Sequence, residues 1–208
     1  MIAEFDKDYW EDQWGTGTPG RRNQLPVNPY LTAETAHLPV GTALDAGCGT
    51  GTEALWLAEH GWNVTATDIS ATALTEAQTR AAAAGMGVHI DWVETDLLRW
   101  EPEQRWDFVV TNYAHAQTGQ LPLYQRIASW VAPGGTLLIV GHLHGHHHDV
   151  HHRHDHPEGA TATLEGITNL FSSPRWRIDS AYEHTRSVLL GGSPVQLRDV
   201  IVRVHRLT

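Results

Sequence analysis

The chain has 208 residues, 41% of them hydrophobic, a formal net charge of −10 with histidine neutral, and a single cysteine, Cys48. This length suffices for one domain with a sizeable core, and one cysteine excludes an internal disulfide and cysteine-rich zinc modules. The acidic charge without a Lys/Arg cluster argues against nucleic acid as the main partner, and no apolar run approaches the ~20 residues that span a bilayer. Since the N-terminus also lacks the basic and apolar stretches of a signal peptide, we expect a cytoplasmic protein.

Strand and helix patterns alternate along the chain from about residue 42. Residues 1–35 differ, because they are aromatic, rich in Pro and Gly and only partly helical, which predicts a cap segment. In the rest of the chain, apolar runs and alternating patterns predict strands, while apolar residues at helical spacing with Gly or Pro stops predict helices. The predicted strands are 42–47, 63–68, 88–96, 106–112, 136–142, 176–184 and 195–206, and the predicted helices are 52–61, 70–85, 121–135 and 161–171.

The order of these elements predicts the fold class. Repeated strand–helix–strand units with short loops imply parallel strands joined by right-handed crossovers, in a doubly wound α/β arrangement. Only a short segment separates the last two strands, which indicates an antiparallel hairpin. We therefore predict a single domain over residues 1–208, with a cofactor-binding core at 36–142, a histidine-rich loop at 143–159 and the C-terminal part of the sheet at 160–208.

A glycine-rich turn in "LDAGCGTGTEAL" lies between a predicted strand and a helix N-terminus. Gly47, Gly49 and Gly51 let a ligand approach the backbone closely, and the helix N-terminus favours an anionic group. Asp68 ends the next strand, where a carboxylate can accept hydrogen bonds from ribose hydroxyls. The glycine spacing is G-x-G-x-G, with Thr52 where a dinucleotide fingerprint has its third glycine. The pattern predicts a nucleoside-containing ligand and weighs against NAD, although an NAD-linked oxidoreductase stays open.

Several segments, in order, resemble the class I S-adenosylmethionine-dependent methyltransferases. They are "VGTALDAGCGTGTEALWLAEHGWNVTATDIS", "WVETDLLRW", "WDFVVTNYAH" and "IASWVAPGGTLLIVGH", and they cover about residues 40–142. The resemblance implies a Rossmann-like, mostly parallel seven-stranded sheet with an antiparallel last strand, and S-adenosyl-L-methionine as cofactor. It implies cofactor contacts at Asp45, Gly47, Cys48, Gly49, Gly51, Asp68, Ile69, Asp96, Leu97 and Asn112.

The resemblance also implies what these positions do. Asp45 would organise the glycine loop, and that loop would line the methionine moiety of the cofactor. Ile69 would pack on the adenine, whose edge Asp96 and Leu97 would flank. Asn112 would lie near the sulfonium. Taken alone, Asp96 also fits a turn cap, and Ile69 an ordinary core residue.

The chemistry predicted for such a protein is in-line displacement at a sulfonium, in which the protein mainly orients the reactants. His115 is the candidate general base, because an imidazole titrates near neutral pH; it equally fits a hydrogen-bonded histidine that shapes its loop. Tyr113 is the second candidate catalytic residue, since it follows the fourth strand near the methyl group. Tyr9, Trp10 and Trp14 suit an aromatic lid over the cofactor, because ring faces attract a sulfonium. They equally fit a helix packed on the domain.

The cap loosely resembles small-molecule methyltransferases of the thiopurine, thiol and tellurite-resistance type. We therefore expect a small-molecule acceptor with an O, N or S nucleophile. We expect a monomer or homodimer with no nucleic-acid or membrane partner.

A histidine-rich stretch, "VGHLHGHHHDVHHRHDHPEG", follows the predicted fifth strand, and nine of the 15 histidines lie between His142 and His156. Its start places it at the same edge of the sheet as the glycine loop. His147, His148, His151 and His152 form pairs at i, i+4 spacing, which predicts a candidate site for a divalent transition metal. Nine histidines exceed the needs of one site, so the stretch also fits a solvated loop. A non-catalytic metal-binding protein on a methyltransferase scaffold therefore stays open.

Overall fold

The computed structural model describes residues 5–15, 26–86, 89–143, 158–190 and 193–208. The candidate metal ligands His147, His148, His151 and His152 lie outside these ranges, so the metal site stays a prediction. Within the same ranges, no helix is both long enough and apolar enough to cross a membrane.

The described residues form six α-helices, eight strands and one turn of 3-10 helix at Glu158–Ala160. The helices are α1 (Lys7–Gly15), α2 (Pro29–Thr35), α3 (Thr52–Glu59), α4 (Ala71–Ala83), α5 (Gln120–Ala128) and α6 (Leu164–Leu170). The strands are β1 (Thr42–Ala46), β2 (Asn63–Asp68), β3 (Ile90–Glu94), β4 (Trp106–Asn112), β5 (Val131–Leu143), β6 (Thr161–Ala162), β7 (Trp176–Leu190) and β8 (Ser193–Arg206).

Helix ends follow the capping residues of the sequence. The Ser70 hydroxyl caps α4 by accepting a hydrogen bond from the Ala73 amide at 3.1 Å, and Gly85, with φ of +73°, follows the end of this helix. By contrast, α3 begins at Thr52 after Gly51, which has no side chain to cap the first amides of the helix. The Asp45 carboxylate accepts a hydrogen bond from the Ala54 amide, so one amide of the first turn is already paired.

The strands form one sheet with the order β3-β2-β1-β4-β5-β8-β7, and the short β6 pairs with β5. Neighbouring strands from β3 through β5 are parallel, whereas β8 is antiparallel to both β5 and β7. The predicted mostly parallel α/β sheet with an antiparallel last strand is confirmed, with β6 as a short addition. Buried apolar residues pack on both faces of the sheet, in two clusters centred on α3 with α4 and on α5 with α6.

Several element boundaries were predicted wrongly. The helix expected at 121–135 ends at Ala128, and β5 begins at Val131, because Val131 pairs with Trp106 and a bulge in β5 follows before Thr136 pairs with Phe108. The two C-terminal strands are longer than expected and reach Leu190 and Ser193. The extension of β7 includes Arg186, which pairs with Asp199 of β8 beside His142 of β5.

Candidate active site

The glycine loop follows β1 and is fixed by its own backbone hydrogen bonds. The amides of Gly47 and Cys48 both donate to the Thr67 carbonyl at 2.9 Å, and the Gly51 amide donates to the Cys48 carbonyl. Gly51 has φ of +77°, and a Cβ there would lie 2.7 Å from the ring of Trp92 on β3. A side chain at this position would therefore strain the backbone and would also clash with the Trp92 ring. The loop is a turn that only glycine accommodates here.

Asp68 connects this loop to the end of β2. Its carboxylate accepts hydrogen bonds from the Gly49 amide at 2.8 Å and from the Ser70 amide at 3.0 Å, and it is buried. Burial raises the pKa of Asp68, against the opposing effect of these amides. A carboxylate has about four lone-pair positions, so the two amides leave capacity for hydroxyl donors.

Two further acids, Asp45 and Glu53, lie beside Asp68. Asp45 is 1% exposed and its Oδ2 has no hydrogen-bond partner among the described residues. Burial, and then the nearby charges of Glu53 and Asp68, raise the pKa of Asp45 well above its ordinary value, while burial raises that of Glu53. Burial likewise raises the pKa of the Cys48 thiol well above its usual range. The loop therefore gathers acidic groups in a place with little water, where a cationic ligand group would favour their ionised forms.

Helix α1 covers the glycine loop. A Cβ at Gly49 would lie 3.1 Å from Cζ2 of Trp14, so the indole rests directly against the loop backbone. Trp14 thus lies where an aromatic lid was expected, and its contact with a cofactor remains a prediction. Helix α4 also supports the loop, since the guanidinium of Arg80 donates to the carbonyl of Thr50 at 2.6 Å and to the hydroxyl of Thr52 at 3.1 Å.

Asn112 and Tyr113 follow β4, beside the loop. The Asn112 side-chain oxygen accepts from Nδ2 of Asn28 at 3.4 Å, but its Nδ2 is buried without a partner among the described residues. Tyr113 has φ of +53°, a left-handed backbone conformation that a bulky residue rarely adopts. Its neighbour Ala114 meets the glycine loop, because a Cβ at Gly47 would lie 2.6 Å from the Cβ of Ala114. The strained turn therefore brings the end of β4 against the loop.

A buried polar network holds the Tyr113 hydroxyl in place. The hydroxyl donates to the Asp199 carboxylate at 2.8 Å and accepts from the Arg186 guanidinium at 3.1 Å. Arg186 also pairs with Asp199 at 2.8 Å, and the Tyr30 hydroxyl donates to Asp199 at 2.9 Å while contacting a ring nitrogen of His184. Burial, with the charge of Asp199, raises the pKa of the Tyr113 phenol. Tyr113 therefore holds its proton more firmly than an ordinary tyrosine, and its catalytic role stays a prediction.

His115 lies in a group of stacked rings between α1 and β5. Its ring centroid is 5.4 Å from that of Phe5, 6.1 Å from that of Trp10 and 5.6 Å from that of His142. The His115 Nδ1 contacts the side-chain nitrogen of Gln120 at 3.0 Å. His142, the first histidine of the histidine-rich stretch, in turn stacks on Tyr113 at 4.5 Å. The structure therefore brings both candidate catalytic residues to one wall of the site.

The remaining candidates lie at the adenine side predicted by the resemblance. Asp96 accepts from the Leu98 amide at 2.9 Å and lies 3.6 Å from the Arg99 guanidinium, so its carboxylate caps a turn in this structure. The carbonyl of Leu97 accepts a hydrogen bond from Arg126, and Ile69 is half-buried after β2. Their adenine contacts stay predictions.

Sequence reasoning missed the polar network around Tyr113. Asp199 directly precedes the run "VIVRV" within the last strand, and an acid in a buried strand is a signal that a partner charge lies nearby. Tyr30, His184 and Arg186 carried no local signal. Among the described residues, no three His, Cys, Asp or Glu side chains are grouped closely enough to hold a metal ion.

Comparison with known proteins finds similarity to methyltransferases. Residues 43–135 match a methyltransferase domain family. The probable thiol methyltransferase 2 of Arabidopsis thaliana is 31% identical over 145 residues, which cover 67% of this chain and 64% of that protein. An uncharacterized methyltransferase, Rv0089 of Mycobacterium tuberculosis, is 42% identical over 110 residues, covering 50% of this chain and 53% of that protein. The matches thus span between half and two thirds of these curated relatives.

Solved structures agree on the fold. TehB from Haemophilus influenzae superposes with a TM-score of 0.72 at 15% identity, covering 95% of this chain and 67% of that one. The N-methyltransferase NodS from Bradyrhizobium japonicum, solved with S-adenosyl-L-homocysteine, superposes with a TM-score of 0.70 at 18% identity, covering 96% and 97% of the two chains. At these identities the likeness shows the Rossmann-like fold alone.

Proposed function

We propose that this chain is a class I S-adenosylmethionine-dependent methyltransferase and that it transfers the methyl group of S-adenosyl-L-methionine to a small-molecule acceptor. The observation that carries the proposal is the buried acidic group of Asp45, Glu53 and Asp68 around the glycine loop. The cofactor has a sulfonium, an ammonium and a carboxylate, and therefore a net positive charge. An acidic pocket beside the N-terminus of α3 complements both signs of that charge.

The residues present fit the cofactor. The Oδ2 of Asp45 is a buried acceptor and the Nδ2 of Asn112 a buried donor, and both lack partners among the described residues. Such orphaned groups are costly unless a ligand satisfies them. An α-amino acid group offers an ammonium to the acceptor and a carboxylate to the donor. Gly47, Cys48, Gly49 and Gly51 would hold this methionine moiety, and Asp68 the ribose.

The cofactor supplies the electrophilic methyl group when it is bound, and the protein orients the acceptor against it. The wall formed by Tyr113, His115 and His142 would line the acceptor side, since these rings stack together after β4 and at the end of β5. The aromatic ring faces of this wall suit a soft, polarisable nucleophile. The acceptor classes predicted from the sequence were O, N and S nucleophiles. We place sulfur first, because two curated relatives are named as thiol and thiocyanate methyltransferases.

Cofactor binding is the first experiment. We expect S-adenosyl-L-homocysteine to raise the melting temperature and NAD to leave it unchanged, since a ligand at 100 times its Kd stabilises a protein by about 2.7 kcal/mol. Asp68→Ala should weaken binding at least about tenfold by calorimetry, because hydrogen bonds to a charged group contribute about 1.5–3 kcal/mol. Circular dichroism of the variant checks that it folds. Stabilisation by NAD in place of S-adenosyl-L-homocysteine would refute the proposal.

Methyl transfer itself is tested with labelled S-adenosyl-L-methionine and a panel of thiols, thiocyanate, amines and phenols. We expect product with the sulfur nucleophiles and least with the amines. Tight binding of Zn or Ni without transfer to any acceptor would support the metal-binding alternative instead.

His115 is tested by His115→Phe, which keeps a ring in the stack with Phe5 and Trp10. If His115 removes a proton from the acceptor, kcat should fall by about 10²–10⁴ and the rate should lose its dependence on pH near neutrality. An unchanged pH–rate profile would show that His115 only shapes the wall.

A further inference from the structure

Glu11 joins α1 to the N-terminus of α4. One of its carboxylate oxygens accepts from the Ala71 amide at 2.7 Å, and the other accepts from the Ser70 hydroxyl at 3.0 Å and from the Thr72 amide at 3.3 Å. These donors are the first groups of α4, which have no partners within their own helix. A side chain from a separate helix, 59 to 61 residues away in sequence, therefore completes the cap.

The same helix reaches the glycine loop through Trp14, so two contacts connect α1 to the site. From Glu11 a continuous chain of hydrogen bonds runs to the Ser70 hydroxyl, from the Ser70 amide to Asp68, and from Asp68 to the Gly49 amide. The indole of Trp14 lies directly against Gly49. These hydrogen bonds and the Trp14 contact thus form a closed path of contacts that begins and ends on α1. The path passes through the residues assigned to the ribose and to the methionine moiety.

The charge of Glu11 suits this position. Its hydrogen bonds with Ser70, Ala71 and Thr72 outweigh desolvation, so the pKa of Glu11 lies below its ordinary value. An ionised carboxylate at a helix N-terminus is also stabilised by the helix dipole. Other acids of α1 lack this contact: Asp6 accepts from the Tyr9 amide at 2.8 Å within its own helix turn, and Asp8 is exposed.

We propose that Glu11 is a positioning residue that holds α1 closed over the bound cofactor, so that docking of α1 and cofactor binding are coupled. The proposal rests on the proposed function, because it takes Asp68 and the glycine loop as the cofactor site. Glu11 contacts the start of α4 rather than the glycine loop. It acts through Ser70 and Asp68, and through the placement of Trp14 on the same helix.

Hydrogen–deuterium exchange of α1 and calorimetry with S-adenosyl-L-homocysteine test the proposal on the full chain. Glu11→Ala removes the contact, Glu11→Gln keeps an acceptor oxygen but removes the charge, and Asp8→Asn is the control with the same charge change on an exposed position. Losing a capping side chain costs about 0.5–2 kcal/mol, which corresponds to about a twofold to thirtyfold change in an equilibrium constant.

We expect Glu11→Ala to speed exchange of the α1 amides, with and without ligand, and to raise the Kd for S-adenosyl-L-homocysteine within that range. Glu11→Gln should lie between Glu11→Ala and the wild type, and Asp8→Asn should match the wild type. Exchange in the sheet separates lost docking of α1 from general destabilisation, because lost docking speeds exchange in α1 and leaves exchange in the sheet unchanged. Urea unfolding of each variant measures the general destabilisation directly.

The outcomes distinguish this proposal from the proposed function. If the wild type binds the ligand and Glu11→Ala binds it equally well with unchanged α1 exchange, the coupling is refuted and the function stands. If the wild type does not bind the ligand at all, the function fails and the coupling with it. A twofold or larger rise in the Kd of Glu11→Ala, with Asp8→Asn unchanged, supports the proposal.

Discussion

The two halves of the candidate site differ in how they are built. The cofactor half, around Asp45, Asp68 and the glycine loop, comes from one β–α–β unit, and its side chains include a buried oxygen without a partner. The acceptor half depends on Asp199, whose carboxylate is fully buried and accepts from Tyr30 and Tyr113, 169 and 86 residues away in sequence. The first half is local and electrostatically unsatisfied, while the second is assembled from distant segments and satisfied.

This difference indicates what each half contributes. Unsatisfied acids lower the stability of a folded protein unless a ligand compensates them, so the cofactor half is organised for binding at the expense of stability. The polar network of the acceptor half fixes Tyr113 in its strained conformation and joins the C-terminal hairpin to β4. We therefore expect substitutions of buried acids to have opposite effects on stability in the two halves.

The largest effect is expected for Asp199→Ala. Removing this carboxylate leaves the Arg186 guanidinium, 14% exposed, without its charge partner and deprives the Tyr30 and Tyr113 hydroxyls of their acceptor. Breaking a buried ion pair on one side costs about 3–5 kcal/mol. We expect a loss of about 3 kcal/mol in the free energy of unfolding, measured by urea denaturation.

A matched control is Glu101→Ala, which breaks the ion pair with Arg126 where the glutamate side chain is 82% exposed. Exposed pairs contribute about 0–1 kcal/mol, so this variant should unfold nearly as the wild type does. Equal losses in the two variants would show that the Asp199 network does not stabilise the fold.

A smaller effect is expected for Gly51→Ala in the cofactor half. Gly51 and Gly85 have nearly the same backbone, with φ of +77° and +73°, but a Cβ at Gly51 would lie 2.7 Å from the Trp92 ring, and one at Gly85 would meet nothing within 4 Å. The left-handed backbone costs about 1–2 kcal/mol for alanine at either position. Gly51→Ala should therefore unfold more easily than Gly85→Ala by the cost of the clash with Trp92.

Ligand binding separates these two glycines further. Only Gly51 belongs to the loop assigned to the cofactor, so Gly51→Ala should weaken binding of S-adenosyl-L-homocysteine, measured by calorimetry, while Gly85→Ala keeps the wild-type Kd. Loss of affinity in both variants would mean that the assay reports stability rather than the loop.

The contrast between the halves also explains how much the sequence could predict. The β–α–β unit that contains Gly47, Gly51 and Asp68 runs only from Thr42 to Asp68, so spacing and turn chemistry sufficed to predict its elements. The predicted end of α5 was wrong because a tertiary contact, the pairing of Val131 with Trp106, determines where the helix ends and β5 begins.

The acceptor half was harder for the same reason. Arg186 meets Tyr113 across 73 residues, and only the sheet order, with β8 between β5 and β7, brings them together. The role of Glu11 was equally invisible, because an acid on an amphipathic helix is ordinarily solvated. Tyr113 was correctly predicted to follow β4, but its hydrogen bond to Asp199 was not.

The smallest effect, and one of opposite sign, is expected for Asp45→Asn. Burial raises the pKa of Asp45 above its value in the unfolded chain, so ionisation of this carboxyl opposes folding. Its contribution to stability is fully present below the ordinary carboxyl pKa of about 4 and is lost as the pH rises towards the raised value. The asparagine variant does not ionise and lacks this loss. Urea unfolding of both proteins between pH 4 and pH 8 should therefore show that the free energy of unfolding of the variant increases relative to that of the wild type as the pH rises.

The ligand then distinguishes a strained acid from a functional one. Because the proposed ligand group of Asp45 is an ammonium, Asp45→Asn should bind S-adenosyl-L-homocysteine more weakly even though it is the more stable protein at pH 8. Stability and affinity would thus change in opposite directions in the cofactor half, whereas Asp199→Ala loses stability outright. If Asp45→Asn is less stable than the wild type across this pH range, the expected contrast between the two halves is absent. Asp45 would then stabilise the fold, as Asp199 does.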